Sequence, residues 1–440
     1  IIYLKAAEGG LTTDCSTAVD VSYAAADHLV FSTEPAASGT AGSNLGTQPV
    51  VTVEDAFNNT VLNSSLSITL ADYTDSGCSS AGSGTLNATT NPLAASSGVT
   101  TFAGVNYTKT GNLYLKATGS GVTADCSSVV DIDPAAADHL AVNTQPSTTG
   151  TAGADLATQP IFDIEDTYNN LVDTATDNVT IAAYTNVGCT AAAGGTLSAT
   201  ANPKAASAGV ATFAGTDYDT AETIYLKATA GGMTAVCTGS IAVSAAAASK
   251  VVITTEPAGT GTAGSNLSTQ PVVEIRDAFD NVINSTNTVS LTAYTNVGCT
   301  AASGGTFNGG SKAAVAGVAT FTAVNHELAE TVYLKASEGA LTTDCSTSVV
   351  ISAAAAKKLA YSTQPSGTGT AGSNLATQPV VDIQDTYGNI TTNTDTVTLT
   401  AFTNSGCSSA SGGTLNGGSK AAVSGASTFT ALNHEKAETV

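Results

Sequence analysis

The phrase Tyr-Leu-Lys-Ala begins at Tyr3, Tyr114, Tyr225 and Tyr333, at spacings of 111, 111 and 108 residues. A tandem repeat of that length restricts the fold more than any single motif does. Each copy has enough residues to bury its own core, so each is expected to be a folding unit, and 440 residues hold about four of them. Alanine-rich runs mark the seams, at 24–26, 135–137, 245–248 and 353–356. Each run leads directly into an apolar stretch such as Leu29-Val30-Phe31, which leaves no room for long linkers. The expected units are 24–134, 135–244 and 245–352, with an incomplete fourth at 353–440. Residues 1–23 read as the last strands of a preceding or neighbouring unit.

Within a unit, turn residues separate about seven short runs, the pattern of an all-β sandwich. Leu66-Ser67-Ile68-Thr69-Leu70 alternates apolar and polar residues with period two, as a half-buried strand does. Leu29–Ser32, Val50–Glu54, Val99–Ala103, Leu113–Ala117 and Ser127–Ile132 are further strands, and none has the length or period of a helix. Pro35 and Pro49, repeated as Pro146 and Pro160, flank a Gly-Ser-Thr stretch that suits an edge strand breaking or changing sheets, because proline cannot donate to a ladder.

Thirteen Lys and Arg against 35 Asp and Glu give a net charge of -22, which opposes nucleic-acid binding and attraction to an anionic membrane. No apolar run reaches the eighteen residues of a spanning helix, so no direct membrane insertion is expected.

The run Gln48-Pro49-Val50-Val51-Thr52-Val53-Glu54-Asp55-Ala56-Phe57-Asn58-Asn59, followed by Gly98-Val99-Thr100-Thr101-Phe102, resembles the bacterial immunoglobulin-like (Big-type) repeats of surface adhesins and extracellular fibres. The turn recurs as Asp166–Asn170, Asp277–Asn281 and Asp385–Asn389, so the resemblance spans the chain. It implies a tandem array of about four seven-stranded immunoglobulin-like sandwiches, and a role as stalk, adhesive tip or fibre subunit. Two Cys per repeat depart from the family pattern.

The eight Cys stand at 15, 78, 126, 189, 237, 299, 345 and 407, a regularity that implies structural pairs in an oxidising compartment. Two registers are sensible. One keeps bridges inside units, Cys78–Cys126, Cys189–Cys237 and Cys299–Cys345, and leaves Cys15 and Cys407 over. The other starts with Cys15–Cys78 and crosses every seam. The first is favoured, because a loop Cys after the 66–70 strand and a Cys opening the last strand lie close in one sandwich.

The leftovers have two explanations. The chain is a window on a longer array, or residues 1–23 of one copy complete the open fourth unit of the next, with Ile2, Tyr3, Leu4, Lys5 and Ala6 as donor strand and Cys15–Cys407 as an intermolecular bridge. Identical protomers joined head-to-tail are then the partners, and such a heterologous contact propagates without closing.

Catalysis is not expected. No His recurs in all four copies: His28 and His139 give way to Lys250 and Lys358, while His326 and His434 stand where Tyr107 and Tyr218 do. No organic cofactor is expected either. Calcium is the one ion the recurring acidic turns could hold, at Asp55, Asp166, Asp277 and Asp385 with Asn59, Asn170, Asn281 and Asn389 beside them, although Asx turns use the same residues. Asn58, Asn63, Asn87, Asn106, Asn178, Asn266, Asn284 and Asn389 open glycosylation sequons. Tyr73, Tyr184, Tyr294 and Phe402 follow a strand singly, which fits a buried sandwich aromatic better than a sugar platform. The expected function is a structural shaft or subunit of an extracellular filament or surface appendage. The alternative is an adhesin or carbohydrate-binding module with an unknown surface receptor.

Overall fold

A computed structural model describes residues 1–440 and is all-β. The chain divides into two units, Ile1–Val243 and Ser244–Val440, and each carries two sandwich cores. In the first sandwich, Ala26–Thr33, Val50–Asp55 and Val99–Thr101 form a three-stranded sheet. The opposing sheet runs Ser38–Thr40, Val130–Asp133, Gly111–Thr118, Ser67–Tyr73, Leu93–Ala94, with Asp125–Cys126 also paired to Gly111–Thr118. Alternation turns Leu29, Val51, Val53 and Phe102 from one sheet toward Ile68, Leu70, Leu113, Leu115, Val130 and Ile132 from the other, in a single buried cluster. This is an immunoglobulin-like sandwich, and the second and third repeats have the same two sheets.

The proline-flanked stretch changes sheets. After Ala26–Thr33 pairs antiparallel with Val50–Asp55, the chain crosses over and Ser38–Thr40 pairs in parallel with Val130–Asp133. Two further motifs have local causes. In the hairpin before Val99, Ser97 and Gly98 both adopt positive φ, 53° and 77°. A Cβ on Gly98 would lie 2.5 Å from the Val61 carbonyl oxygen, so only glycine fits there. The residue before each turn Asn has φ between 59° and 95° and is Asn58, Asn169, Asp280 or Gly388, the residue types that tolerate a left-handed backbone.

A buried aromatic common to all four sandwiches is the Phe ending the Gly-Val-x-Thr-Phe pattern and its variants, namely Phe102, Phe213, Phe321 and Phe429. Tyr73, Tyr184 and Tyr294 are only half-buried, which corrects their expected place in the core. Each lies under the Lys of the Tyr-Leu-Lys-Ala strand, with Lys116, Lys227 and Lys335 Nζ 5.3, 5.5 and 5.6 Å from the ring centroids.

The fourth sandwich keeps the three-stranded sheet Lys358–Thr363, Val380–Gln384, Ala426–Thr428, while its second sheet is reduced to Thr396–Thr398 with Ser419–Ala421. Its Gly367–Gly372 repeats the sequence of Gly259–Gly264, yet only the latter forms a strand, Thr260–Thr262, because only there does a last strand, Val349–Ser352, lie alongside. Partner availability, not propensity, decides the structure of this segment.

Phe102→Ala is expected to destabilise its sandwich by about 3–5 kcal/mol. In a calorimetric scan of the full chain one transition should move to lower temperature while the others stay in place.

Candidate functional site

Three features recur at fixed places in the repeats: a carboxylate at each seam, a disulfide at one sandwich edge, and a joint between consecutive sandwiches. The carboxylates belong to Asp55, Asp166, Asp277 and Asp385, all fully buried. Asp166 Oδ1 accepts from Tyr168 N at 2.8 Å and Asn170 N at 3.0 Å. Its Oδ2 accepts from Ala135 N of the seam and from Asn170 Nδ2, both at 2.9 Å. Asp55 and Asp385 have the same donors, from Phe57, Asn59 and Ala24 and from Tyr387, Asn389 and Ala354. Asp277 likewise accepts from Phe279, Asn281 and Ala246. The calcium expectation meets N–H donors here. They occupy the lone pairs a cation would need, and no group of three or more His, Cys, Asp or Glu side chains converges anywhere. The physical role of these residues is the Asx turn, tied to the incoming seam.

Burial pushes these carboxyls up, but the sum of their N–H donors outweighs it. Asp55 is held down to about 2, and Asp166, Asp277 and Asp385 are also lowered.

The disulfides are Cys78–Cys126, Cys189–Cys237 and Cys299–Cys345, the register inside the sandwiches. Each closes a loop of nearly fifty residues, worth about 4 kcal/mol in the chain-entropy description. Cys15 and Cys407 are unpaired and exposed, and both are posed as their bonded counterparts are. Cys407 has φ 49°, against 45°, 47° and 48° for Cys78, Cys189 and Cys299. Cys15 pairs across from Lys5 as Cys126 does from Lys116, and Ser16 closes the hairpin on Leu4 as Ser127 does on Leu115.

The donor strand and the open sandwich show the same mismatch from opposite sides. Leu4 is 61% exposed where its counterpart Leu115 is 0%, and Leu359 is 58% exposed where Leu29 is 2%. Ile2, Tyr3, Tyr361 and Ala371 are exposed as well. A cleft of about 430 Å³ lies between Pro365–Ala371 and Lys436–Val440, beside the segment that pairs with the last strand in complete sandwiches.

The joint was not anticipated from the sequence. Inside the first unit, Asn170 Nδ2 donates to Thr108 O of the preceding sandwich at 2.8 Å, Thr110 N donates to Asn170 Oδ1 at 3.3 Å, and Lys109 Nζ donates to Asn169 O at 3.2 Å. The hydroxyl end of the Tyr168 ring lies so close to Gly42 that any Cβ there would overlap it. Inside the second unit Asn389 makes the same pair of bonds, to Glu327 O and from Ala329 N, both 2.8 Å, and Tyr387 covers Gly264. Asn389 is therefore buried with its amide fully engaged, which removes it from the expected glycan acceptors. The other seven sequon residues are exposed or half-exposed.

A second feature missed by sequence reasoning is a buried pair of His clusters. His326 and His434 occupy the sites of Tyr107 and Tyr218, with Ser303 and Glu330, or Ser411 and Glu438, on Nε2. Both partners share that one nitrogen while Nδ1 is buried without a partner, so a relay through opposite ring nitrogens is not formed. The spacing of Glu four residues after each His was the available signal.

No family model matches the chain, and no curated protein matches it in sequence. Among solved structures it is similar to an I-band fragment of titin, at 10% identity and a TM-score of 0.28, over 75% of this chain and 100% of the fragment. It is also similar to InvD of Yersinia pseudotuberculosis, at 13% identity and 0.30, over 73% and 96% of the two chains. For domains 4–9 of the surface layer protein SbsC the values are 15% and 0.21, over 76% of this chain and 49% of that one. The fold assignment stands on the strand order described above.

Because the folded Asp pKa values lie below the ordinary 3.8, these turns add stability above that value and lose it as pH falls below it, toward about 2 for Asp55. Acid titration followed by circular dichroism should show unfolding in that window. Replacing Asp55, Asp166, Asp277 and Asp385 together by Asn should flatten the pH dependence there.

Proposed function

We propose that this chain is a structural shaft segment of an extracellular filament or surface appendage, extended head-to-tail by strand complementation. The single observation that carries this reading is the match between the preformed hairpin of residues 1–23 and the open fourth sandwich. The hairpin offers Ile2, Leu4, Val19 and Val21, counterparts of the buried Leu113, Leu115, Val130 and Ile132. The sandwich offers Leu359, Tyr361, Leu375 and Leu399, whose counterparts are covered in complete repeats. Polar contacts are provided too. Asp125 accepts from Phe31 N at 2.8 Å, so Asp14 is placed to accept from Tyr361 N in the completed sandwich.

Cys15 then faces Cys407 as Cys126 faces Cys78. Closing that bridge removes two protons and two electrons from the thiols, and thiol–disulfide exchange with an oxidised dithiol carrier in an oxidising compartment would accept them. Three intrachain disulfides support an extracellular setting for the same reason. Adhesive or sugar-binding use of single aromatics gains nothing, since Tyr73, Tyr184 and Tyr294 already carry a Lys on the ring.

The denatured mass of native material tests the assembly. A species near 43.2 kDa with reductant, and a ladder of multiples without it, is the expected result. A reduced species far heavier would make the array one continuous chain and withdraw the bridge between copies.

Mechanical use has its own measurement. Each bridge withholds 48, 48 or 46 residues from extension. Stretching single chains should therefore release about 170 Å more per complete sandwich with reductant than without it.

A further inference from the structure

The joint between consecutive sandwiches is occupied inside each unit, and both of its halves are also present in open form. On the first sandwich, the turn Asp55–Asn59 keeps the bonds of the occupied turns to Asp55, but Asn59 is exposed and Phe57 is 76% exposed, whereas the occupied Tyr168 and Tyr387 are 38% and 42%. On the fourth sandwich, Gly372 has φ 72°, like Gly42 and Gly264 at 69° and 72°, and nothing lies within 4 Å of where its Cβ would be. Glu435 and Ala437, the counterparts of Thr108 and Thr110, are exposed.

We infer that the Asp55–Asn59 turn of one chain docks on the Gly372 and Glu435–Ala437 loops of a second copy, making a second lock beside the complemented strand. This rests on the complementation reading, and a register argument joins the two. Tyr114 precedes Asp166 by 52 residues, and Tyr3 precedes Asp55 by the same 52. A copy whose Ile2–Ala6 strand enters the fourth sandwich therefore carries its own turn to the place on that sandwich equivalent to the one Asp166–Asn170 takes on the first.

The contacts follow those of the occupied joints, except that Phe57 lacks the hydroxyl that lies nearest Gly42 and Gly264 in Tyr168 and Tyr387. Asn59 Nδ2 donates to Glu435 O, Ala437 N donates to Asn59 Oδ1, and the Phe57 ring covers Gly372. Lys436, in the place of Lys109, reaches the Asn58 carbonyl. Glycine at 372 lets the ring approach the backbone, and the Asn amide is spent half on its own Asp and half on the partner's main chain, so the lock reads geometry more than side-chain identity. Recognition is thus of a second copy of this chain, through a surface the chain already uses between its own repeats.

Sedimentation equilibrium of the full chain tests the lock, with Cys15→Ser and Cys407→Ser present throughout so that association stays reversible. Phe57→Ser changes a side chain that touches little, and Gly372→Asn keeps a residue type that accepts positive φ while filling the ring's place. Each is expected to weaken association about tenfold, the effect of losing one well-made polar or packing contact. Leu4→Asp, on the donor strand, is expected to abolish it. If Leu4→Asp abolishes association while Phe57→Ser and Gly372→Asn leave it within twofold, the lock is overturned and complementation stands. If the parent chain does not self-associate at all, both are overturned. If native material proves to be one longer chain in which the 55–59 turn is covered, its occupant is a preceding sandwich, and the second-copy assignment fails.

Discussion

A buried carboxylate that must find four N–H donors organises each sandwich of this chain. Asp55 and its three counterparts lie where water cannot reach them, so their charge is tolerable only because the turn supplies main-chain donors and the seam supplies one more. The consequences spread outward. The aromatic two residues on is held at the surface, the next residue is forced into a left-handed backbone, and the amides of Asn170 and Asn389 are divided between their own Asp and the preceding sandwich. One ionised group thereby sets where the strand ends and how the preceding seam enters, and at Asp166 and Asp385 it also places the Asn that bonds to the preceding sandwich.

Much of the fold could be read from residue order. The period-two alternation of Leu66–Leu70 and the Gly-Val-Thr-Thr-Phe run placed strands within a few residues of Ser67–Tyr73 and Val99–Thr101, because one face of each is buried and the other is not. The proline-bounded Gly-Thr stretch announced a change of sheet for the equally direct reason that proline leaves a ladder unpaired. Cysteine spacing reached the observed pairing once loop and last strand were assigned.

What could not be read depends on contacts between distant parts of the chain. For Asp166 an Asx turn and an ion site stayed open together because its partners, Ala135 N and the Asn170 amide, are main-chain and amide donors with no signature of their own. Tyr73 looked like a core aromatic until Lys116, 43 residues later, was seen to cover it. Asn170 and Asn389 were visible as turn residues, but their bonds to Thr108 and Glu327 come from another sandwich. Gly367–Gly372 makes the limit plain, since six residues identical to Gly259–Gly264 form a strand in one place and none in the other.

The parallel pairing of Ser38–Thr40 with Val130–Asp133 bears on how such a chain would carry load. The two segments stand near the entry and exit of one sandwich and run in the same direction, so tension along the chain drags them past each other. Their ladder is then loaded in shear, with its hydrogen bonds strained together and not peeled one by one. The same short contact recurs in the third sandwich, between Thr260–Thr262 and Val349–Ser352. Rupture strength would thus be concentrated in a few residues of glycine and threonine, the plainest part of the sequence.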